Sequence, residues 1–187
     1  MKLFVALPVY GGYHPFFVGP LMAMISDPPC SITVRQCAGD SLVARARNKL
    51  AAEFLASDCT HLLFLDTDLI FTVEQIARLC SHDVQIVAGL YPKKQPKLAW
   101  VANMLDEPTE PDERGLQRIK YAGTGCLMIR RDVLEAMQAA HPELAYEADD
   151  GDSHATRFDY FSCGVHEGKD GRRRLRRMIF LDCVTTY

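Results

Sequence analysis

Apolar and polar positions along the first ninety residues predict strands and helices in alternation. Residues 3–7 form a continuous apolar run bounded by turn residues, which is typical of a strand buried on both faces. Residues 15–25 predict a helix, and residues 31–36 predict a second strand with alternating apolar positions. Strand signals that alternate with helix signals are typical of a parallel α/β sheet.

The middle of the chain continues this pattern and then adds strands without intervening helices. Apolar residues recur every three or four positions from Val43 to Phe54, which predicts a helix, and residues 61–65 predict a buried strand. Thr72 is expected to cap the next helix through its spacing to Gln75. Further strands are predicted at residues 84–90, 97–103, 118–122 and 126–129. We therefore expect an α/β domain with an antiparallel addition.

Composition and charge exclude several classes of protein. The 187 residues are 48% hydrophobic and 24% charged, which is normal for one globular domain and argues against disorder or a coiled coil. The 21 Lys and Arg residues against 24 Asp and Glu residues give a formal charge of −3, so no basic field indicates nucleic-acid binding. Seven cysteines without a C-x-x-C pair, and no segment of roughly 20 apolar residues, favour a cytoplasmic protein without a membrane span.

Asp66 and Asp68 are the strongest functional candidates. They directly follow a predicted buried strand, and the carboxyl ends of strands form the edge at which open α/β sheets bind ligands. Two carboxylates two positions apart on an extended backbone point the same way and repel each other, unless a cation lies between them. A divalent metal is the favoured interpretation, and a structural turn is the alternative.

The helix before this strand and a later glycine turn supply weaker signals. Arg45 and Asn48 are spaced to share a helix face and suit phosphate or base contacts, whereas Arg47 and Lys49 are interpreted as a solvated face. Gly123-Thr124-Gly125 predicts either an ordinary tight turn or a close approach of the backbone to a ligand. His166 is a further metal-ligand candidate, against the alternative of an isolated surface histidine.

Four segments together resemble the GT-A glycosyltransferases, particularly the family 2-like group. In order and spacing the resemblance covers about residues 2–140, and the D-x-D motif is specific only in combination with the other segments. The segments are residues 3–10 (LFVALPVY), 44–48 (ARARN), 63–71 (LFLDTDLIF) and 122–131 (AGTGCLMIRR). The resemblance implies a GT-A fold over residues 1–187, a Rossmann-like mixed, mainly parallel sheet with helices on both faces.

The resemblance also implies a role for each matching position. The loop after the first strand, Pro8, Val9 and Tyr10, would hold the nucleotide base and ribose, and Arg45 and Asn48 would face the donor nucleotide together with Asp66. Asp66 and Asp68 would bind Mn²⁺ or Mg²⁺ at the diphosphate of a nucleotide sugar. His166 would join this metal shell on the residue reasoning above, since the resemblance does not cover it. Residues Gly123, Thr124 and Gly125 would lie against the donor sugar or the acceptor.

The C-terminal region differs from the family pattern. Inverting members supply a catalytic base from an acidic motif after the region near Asp159, but residues 174–180 here contain no carboxylate. We therefore expect an altered or truncated C-terminus at about residues 172–187, and a shifted reading frame is one hypothesis for the difference. The base is unassigned, with Asp159 and Asp182 as weak candidates.

The sequence thus predicts a metal-dependent glycosyltransferase that moves a sugar from a nucleoside diphosphate sugar to an unknown glycan, lipid or protein acceptor. A catalytically impaired nucleotide-sugar-binding module is the first alternative, because the acidic motif is absent. A phosphohydrolase similar to the haloacid dehalogenases is the second alternative, with Asp66 as nucleophile, Asp68 as general acid, and Asp149 and Asp150 as Mg²⁺ ligands. The haloacid dehalogenase pattern expects Thr or Val at position 70, where Ile70 stands.

Overall fold

The structure is a computed structural model that describes residues 1–148, 156–167, 171, 173–177 and 184–186. The helices are α1 (Pro15–Ser26), α2 (Val43–Ala56), α3 (Val73–Ser81) and α4 (Arg131–Ala140). The strands are β1 (Lys2–Val9), β2 (Ser31–Ala38), β3 (His61–Leu65), β4 (Ile86–Ala88), β5 (Ala102–Met104), β6 (Gln117–Ala122), β7 (Cys126–Arg130), β8 (Ala145–Glu147), β9 (Thr156–Phe158), β10 (Cys163–Glu167), β11 (Arg173–Arg177) and β12 (Val184–Thr186).

Eight strands form one mixed sheet in the order β2-β1-β3-β7-β4-β12-β6-β5. β1 pairs in parallel with β2 and β3, and β4 pairs in parallel with β12, whereas the other four neighbouring pairs are antiparallel. When these pairings are followed across the sheet, β6 and β7 oppose the remaining strands. The expected mixed, mostly parallel α/β sheet is therefore observed, and β8–β9 and β10–β11 form two separate antiparallel pairs.

Helices cover both faces of the sheet, because alternate strand residues point to opposite sides. One core packs α2 and α4 against the strand residues Phe4, Ala6, Leu62 and Phe64. The other core packs α1 and α3 against Leu3, Val5, Leu63 and Leu65. The prediction that the continuous apolar runs of β1 and β3 are strands buried on both faces is therefore confirmed.

The predicted strand over residues 97–103 is wrong in most of its length. Residues 91–101 form a hairpin-like loop that is closed by a bridge between Pro92 and Trp100, and β5 begins only at Ala102. Within this loop the Lys93 amide donates to the Ala99 carbonyl at 2.7 Å. The Gln95 amide donates to the Lys93 carbonyl and the Val101 amide to the Tyr91 carbonyl, so the loop supplies partners for several of its own backbone groups. Among the described residues, no helix is long and apolar enough to cross a membrane.

Arg131, the first residue of α4, stabilises the carboxyl end of α2. Its guanidinium donates to the carbonyls of four residues, at distances of 2.8–3.1 Å: Phe54, Leu55, Ser57 and Cys59. The guanidinium also lies 4.6 Å from the centroid of the Phe54 ring. The last carbonyls of a helix have no partner within the helix and carry partial negative charge, so a cation there satisfies them and favours the helix dipole.

We predict that Arg131→Met lowers the free energy of unfolding by about 2–3 kcal/mol, because it leaves these partly buried carbonyls without their charged donor. Urea denaturation monitored by circular dichroism measures the change. Arg114→Met is the control, because the Arg114 guanidinium donates to the neighbouring Asp112 carboxylate in an exposed turn. We expect this variant to change the free energy of unfolding very little. Equal stability of Arg131→Met and wild type would contradict this assignment.

Candidate functional site

Four chain segments meet at one edge of the sheet, beside the first aspartate of the D-x-D segment. β1, β3 and β4 run in the same direction, so their carboxyl ends lie at this edge. β7 runs the opposite way and begins there, with Cys126 paired to Leu65. The edge therefore gathers the loops after β1, β3 and β4 and the turn before β7, as expected for a ligand site in an α/β fold.

Asp66 is held at this edge by a buried arginine. The Arg47 guanidinium of α2 donates to Asp66 Oδ1, and Arg47 is only 2% exposed. The guanidinium lies 5.8 Å from the centroid of the Phe64 ring. The interpretation of Arg47 as part of a solvated face is wrong, because Arg47 shares the buried stripe of α2 with Ala51 and Phe54. Its spacing of four and seven residues from them is the signal that could have identified it.

Asp68 is the more accessible of the two carboxylates. It pairs with Lys94, which lies on the 91–101 loop after β4. Between the two aspartates, the Thr67 hydroxyl donates to the Gly12 carbonyl at 2.8 Å, and the His14 amide donates to the Thr67 carbonyl at 2.9 Å. These two hydrogen bonds hold the D-x-D turn against the loop after β1. Its two carboxylates pair with cations from different parts of the chain, Asp66 with Arg47 and Asp68 with Lys94.

Gly123 and Gly125 are required by close side chains of the protein itself. A Cβ atom on Gly125 would lie 2.6 Å from the Tyr91 hydroxyl and 2.9 Å from Asp66 Oδ2. A Cβ atom on Gly123 would overlap both the Tyr91 hydroxyl and a Val101 methyl group. The buried Thr124 lies between the two glycines. The glycines lie in the turn between β6 and β7, and the space beside them is filled by Tyr91, Val101 and Asp66 of the protein itself, so the alternative of a ligand against this backbone stays a prediction.

Tyr91 is a site residue that sequence reasoning missed. Its hydroxyl oxygen accepts a hydrogen bond of 3.0 Å from the Gly125 amide, and the Asp66 amide donates to the Gly125 carbonyl at 2.8 Å. Burial raises the pKa of Tyr91 above its ordinary value, and the Asp66 carboxylate acts in the same direction, so the hydroxyl stays protonated at neutral pH. Its position three residues after the buried strand β4 of the same sheet is the signal that could have identified it.

The two helix residues that were expected to face the donor nucleotide make contacts within the protein. The Arg45 guanidinium donates two hydrogen bonds to the Asp40 carboxylate, at 2.9 and 3.0 Å. Asn48 is buried, its side-chain NH₂ donates to Asp159 Oδ1 at 2.8 Å, and its side-chain oxygen accepts from the Phe161 amide at 3.3 Å. Asn48 therefore fastens the segment after β9 to α2, and Arg47 is the α2 residue that contacts the D-x-D motif.

The remaining predicted site residues are distributed as follows. Pro8 and Val9 end β1, and Tyr10 follows with 75% of its surface exposed at the edge. Asp159 is the Asn48 partner just described, and its own amide donates to the Leu144 carbonyl at 2.9 Å. His166 lies in β10 opposite Arg174, and its side chain lies outside the described residues. Asp149, Asp150 and Asp182 also lie outside the described residues.

A small recess lies beside the Arg47–Asp66 pair. Its lining combines the first turn of α2 with two buried residues from other elements: Val43, Ala44, Arg47, Thr124 and Phe161. The first amides of a helix carry partial positive charge and favour an anion near them. The recess thus places the start of α2 and Arg47, the partner of Asp66, beside Thr124 of the turn before β7.

Asp66 and Asp68 are the residues of this edge that could hold a divalent cation. No group of three or more His, Cys, Asp and Glu side chains that could hold a metal ion occurs in the part of the chain that the structure describes. Mg²⁺ and Mn²⁺ at phosphate-binding sites take one or two protein carboxylates together with water and phosphate oxygens. Asp68 and Asp66, on one turn at the sheet edge, meet that requirement.

Comparison with known proteins supports the fold. No protein-family model and no curated protein matches the chain. Among solved structures, the chain is similar to the crystal structure of A197 from STIV, with a TM-score of 0.55 and 20% sequence identity over 72% of this chain and 68% of that chain. At this identity the similarity concerns the α/β fold alone.

We predict that Gly125→Ala lowers the free energy of unfolding by about 1–3 kcal/mol, because its methyl group displaces Tyr91 or Asp66 from a packed position. Urea denaturation measures the effect. Gly19→Ala is the matched control, since Gly19 lies in α1 with no atom within 4 Å of an added Cβ. We expect it to leave stability unchanged or to raise it by up to about 1 kcal/mol. Full stability of Gly125→Ala would show that the close approach is not required.

Proposed function

We propose that the protein is a metal-dependent glycosyltransferase of the GT-A type that uses a nucleoside diphosphate sugar. The observation that carries this proposal is the convergence of Asp66 and Asp68 with Arg47 and Lys94 at the sheet edge. Carboxylates that hold a divalent cation beside basic side chains suit a diphosphate, because the metal and the cations together neutralise its charge.

In this proposal the two aspartates have different tasks. Asp66 Oδ1 accepts a hydrogen bond from the buried Arg47, which orients the turn. Its second oxygen, Oδ2, would then bind the metal. Asp68 is half exposed and pairs with a lysine that is 75% exposed. A metal ion therefore displaces Lys94 from Asp68 more easily than it displaces Arg47 from Asp66, because a flexible, solvated ammonium group loses little on release.

Surrounding residues would orient the donor. Lys94, once released by the metal, remains on a loop beside Asp68 and can contact a phosphate oxygen. Tyr10 presents an exposed aromatic ring at the end of β1, which suits stacking against a nucleotide base. When bound, the metal supplies Lewis-acid stabilisation of the departing nucleoside diphosphate.

Thermal unfolding with nucleotides tests the proposal. We expect UDP or GDP with Mn²⁺ to raise the Tm by about 5 °C or more when the nucleotide is at roughly 100 times its Kd, and we expect each component alone to have a smaller effect. Asp68→Asn should remove most of the shift, since it removes a metal ligand. This variant is preferable to a change at Asp66, which would leave the buried Arg47 without its counter-charge.

Asp58→Asn is the matched control. Asp58 is an exposed aspartate that pairs with Lys2 at the amino-terminal edge of the sheet, away from the D-x-D turn, and its variant should keep the full shift. No shift with either nucleotide and Mn²⁺ or Mg²⁺ would overturn the proposal. Release of UDP or GDP from a nucleotide sugar then distinguishes a working transferase from a module that only binds the donor.

A further inference from the structure

The sheet edge that carries the candidate site is surrounded by exposed apolar side chains. Sixteen large apolar residues of the described part of the chain are exposed, and nine of them lie at this edge, in the loops after β1 to β4 or the first turns of the helices that follow. They are Tyr10, Tyr13, Phe16, Leu42, Val43, Ile70, Leu90, Leu98 and Trp100. Exposed apolar side chains that gather at one edge of a protein are typical of interaction sites.

Charge along these segments is distributed unevenly. Residues 3–26, which run from the second residue of β1 to the end of α1, include no Asp, Glu, Lys or Arg. Residues 84–105 contain three lysines and no acidic residue, and the lysines lie on the 91–101 loop with two of the exposed apolar residues, Leu98 and Trp100. Lys93 and Lys97 are both exposed, whereas Lys94 reaches back to Asp68.

We infer that this edge docks on the surface of an anionic lipid bilayer. Tryptophan and leucine beside lysine is the combination that the bilayer interface favours, because the apolar groups enter the headgroup region while the ammonium groups meet anionic lipids. The apolar residues are spread over four loops at one edge and surround the site, which matches contact with a broad surface. Residues 3–26, which include the loop after β1, add no charge that would oppose insertion.

Vesicle co-sedimentation tests this inference without nucleotide or metal. We expect the protein to bind phosphatidylcholine vesicles that contain about one-third phosphatidylglycerol, and to bind pure phosphatidylcholine vesicles several-fold more weakly. The double variant Leu98→Ser with Trp100→Ser should lower the partition coefficient about tenfold, because it removes two inserted side chains. Lys93→Gln with Lys97→Gln should lower it about fivefold or more and reduce the preference for anionic lipid.

Two controls change similar residues at the opposite edge of the sheet. Ile25 is an exposed apolar residue near the end of α1, and Lys2 is an exposed residue at the start of β1. Ile25→Ser and Lys2→Gln should therefore keep full vesicle binding. Asp68→Asn should also keep it, and the Leu98→Ser/Trp100→Ser variant should keep the nucleotide-dependent thermal shift, so that failure of either proposal is recognised separately.

Three results would overturn the inference. The first is no binding to either vesicle type, and the second is equal loss of binding in the edge variants and the Ile25→Ser and Lys2→Gln controls. The third is a wild-type protein that binds no vesicles but forms a concentration-dependent dimer in light scattering, when the Leu98→Ser/Trp100→Ser variant stays monomeric. That third result would assign the apolar edge to contact between two copies of the chain.

Discussion

The candidate site depends on the ion pair between Arg47 and Asp66. A guanidinium that is 2% exposed carries a large desolvation cost, and a carboxylate partner with good geometry offsets most of it. Arg47 lies on the core face of α2 and Asp66 directly follows β3, so the pair fastens the helix to the carboxyl edge of the sheet. It also fixes the direction of the Asp66 carboxylate, from which the rest of the site is built.

Other contacts at the edge follow from this pair. The fixed carboxylate and the Tyr91 ring occupy the space beside Gly123 and Gly125, and only residues without a Cβ fit there. The Gly125 backbone in turn bonds both Asp66 and Tyr91, so the turn before β7 holds the loops after β3 and β4 together. Asp68 stays outside this packed arrangement, which leaves it available to a cation other than Lys94.

Much of the fold could be predicted from the sequence, because β1, β3, α2 and the strand at β7 carry strong local patterns. Continuous apolar runs identified the strands buried on both faces, and the Thr72 to Gln75 spacing identified a capping box that is observed at the start of α3. The error at residues 97–101 has a physical reason. Apolar side chains such as Leu98 and Trp100 favoured a strand there, but these side chains are exposed on a loop that bonds to itself.

The candidate site was predictable only in part. The position of Asp66 and Asp68 at the sheet edge follows from local sequence, since any strand of a parallel sheet ends there. The role of Arg47 was not recognised, because its neighbours Arg45 and Lys49 suggested a solvated face and only the tertiary structure pairs it with Asp66. The contacts of Tyr91 with Gly125, and of Asn48 with Asp159, join residues 34 and 111 positions apart, and no local pattern encodes them.

The α/β fold places two carboxylates, an arginine and a lysine at one sheet edge, which we propose holds a metal ion and a nucleoside diphosphate. An anomalous difference map from crystals grown with UDP and Mn²⁺ is the decisive measurement, because it locates the metal without reference to activity. We expect a manganese peak in coordination contact with the Asp68 carboxylate, with Lys94 displaced and diphosphate density beside it. A well-occupied manganese site elsewhere, with Lys94 still paired to Asp68, would show that Asp68 is not a metal ligand.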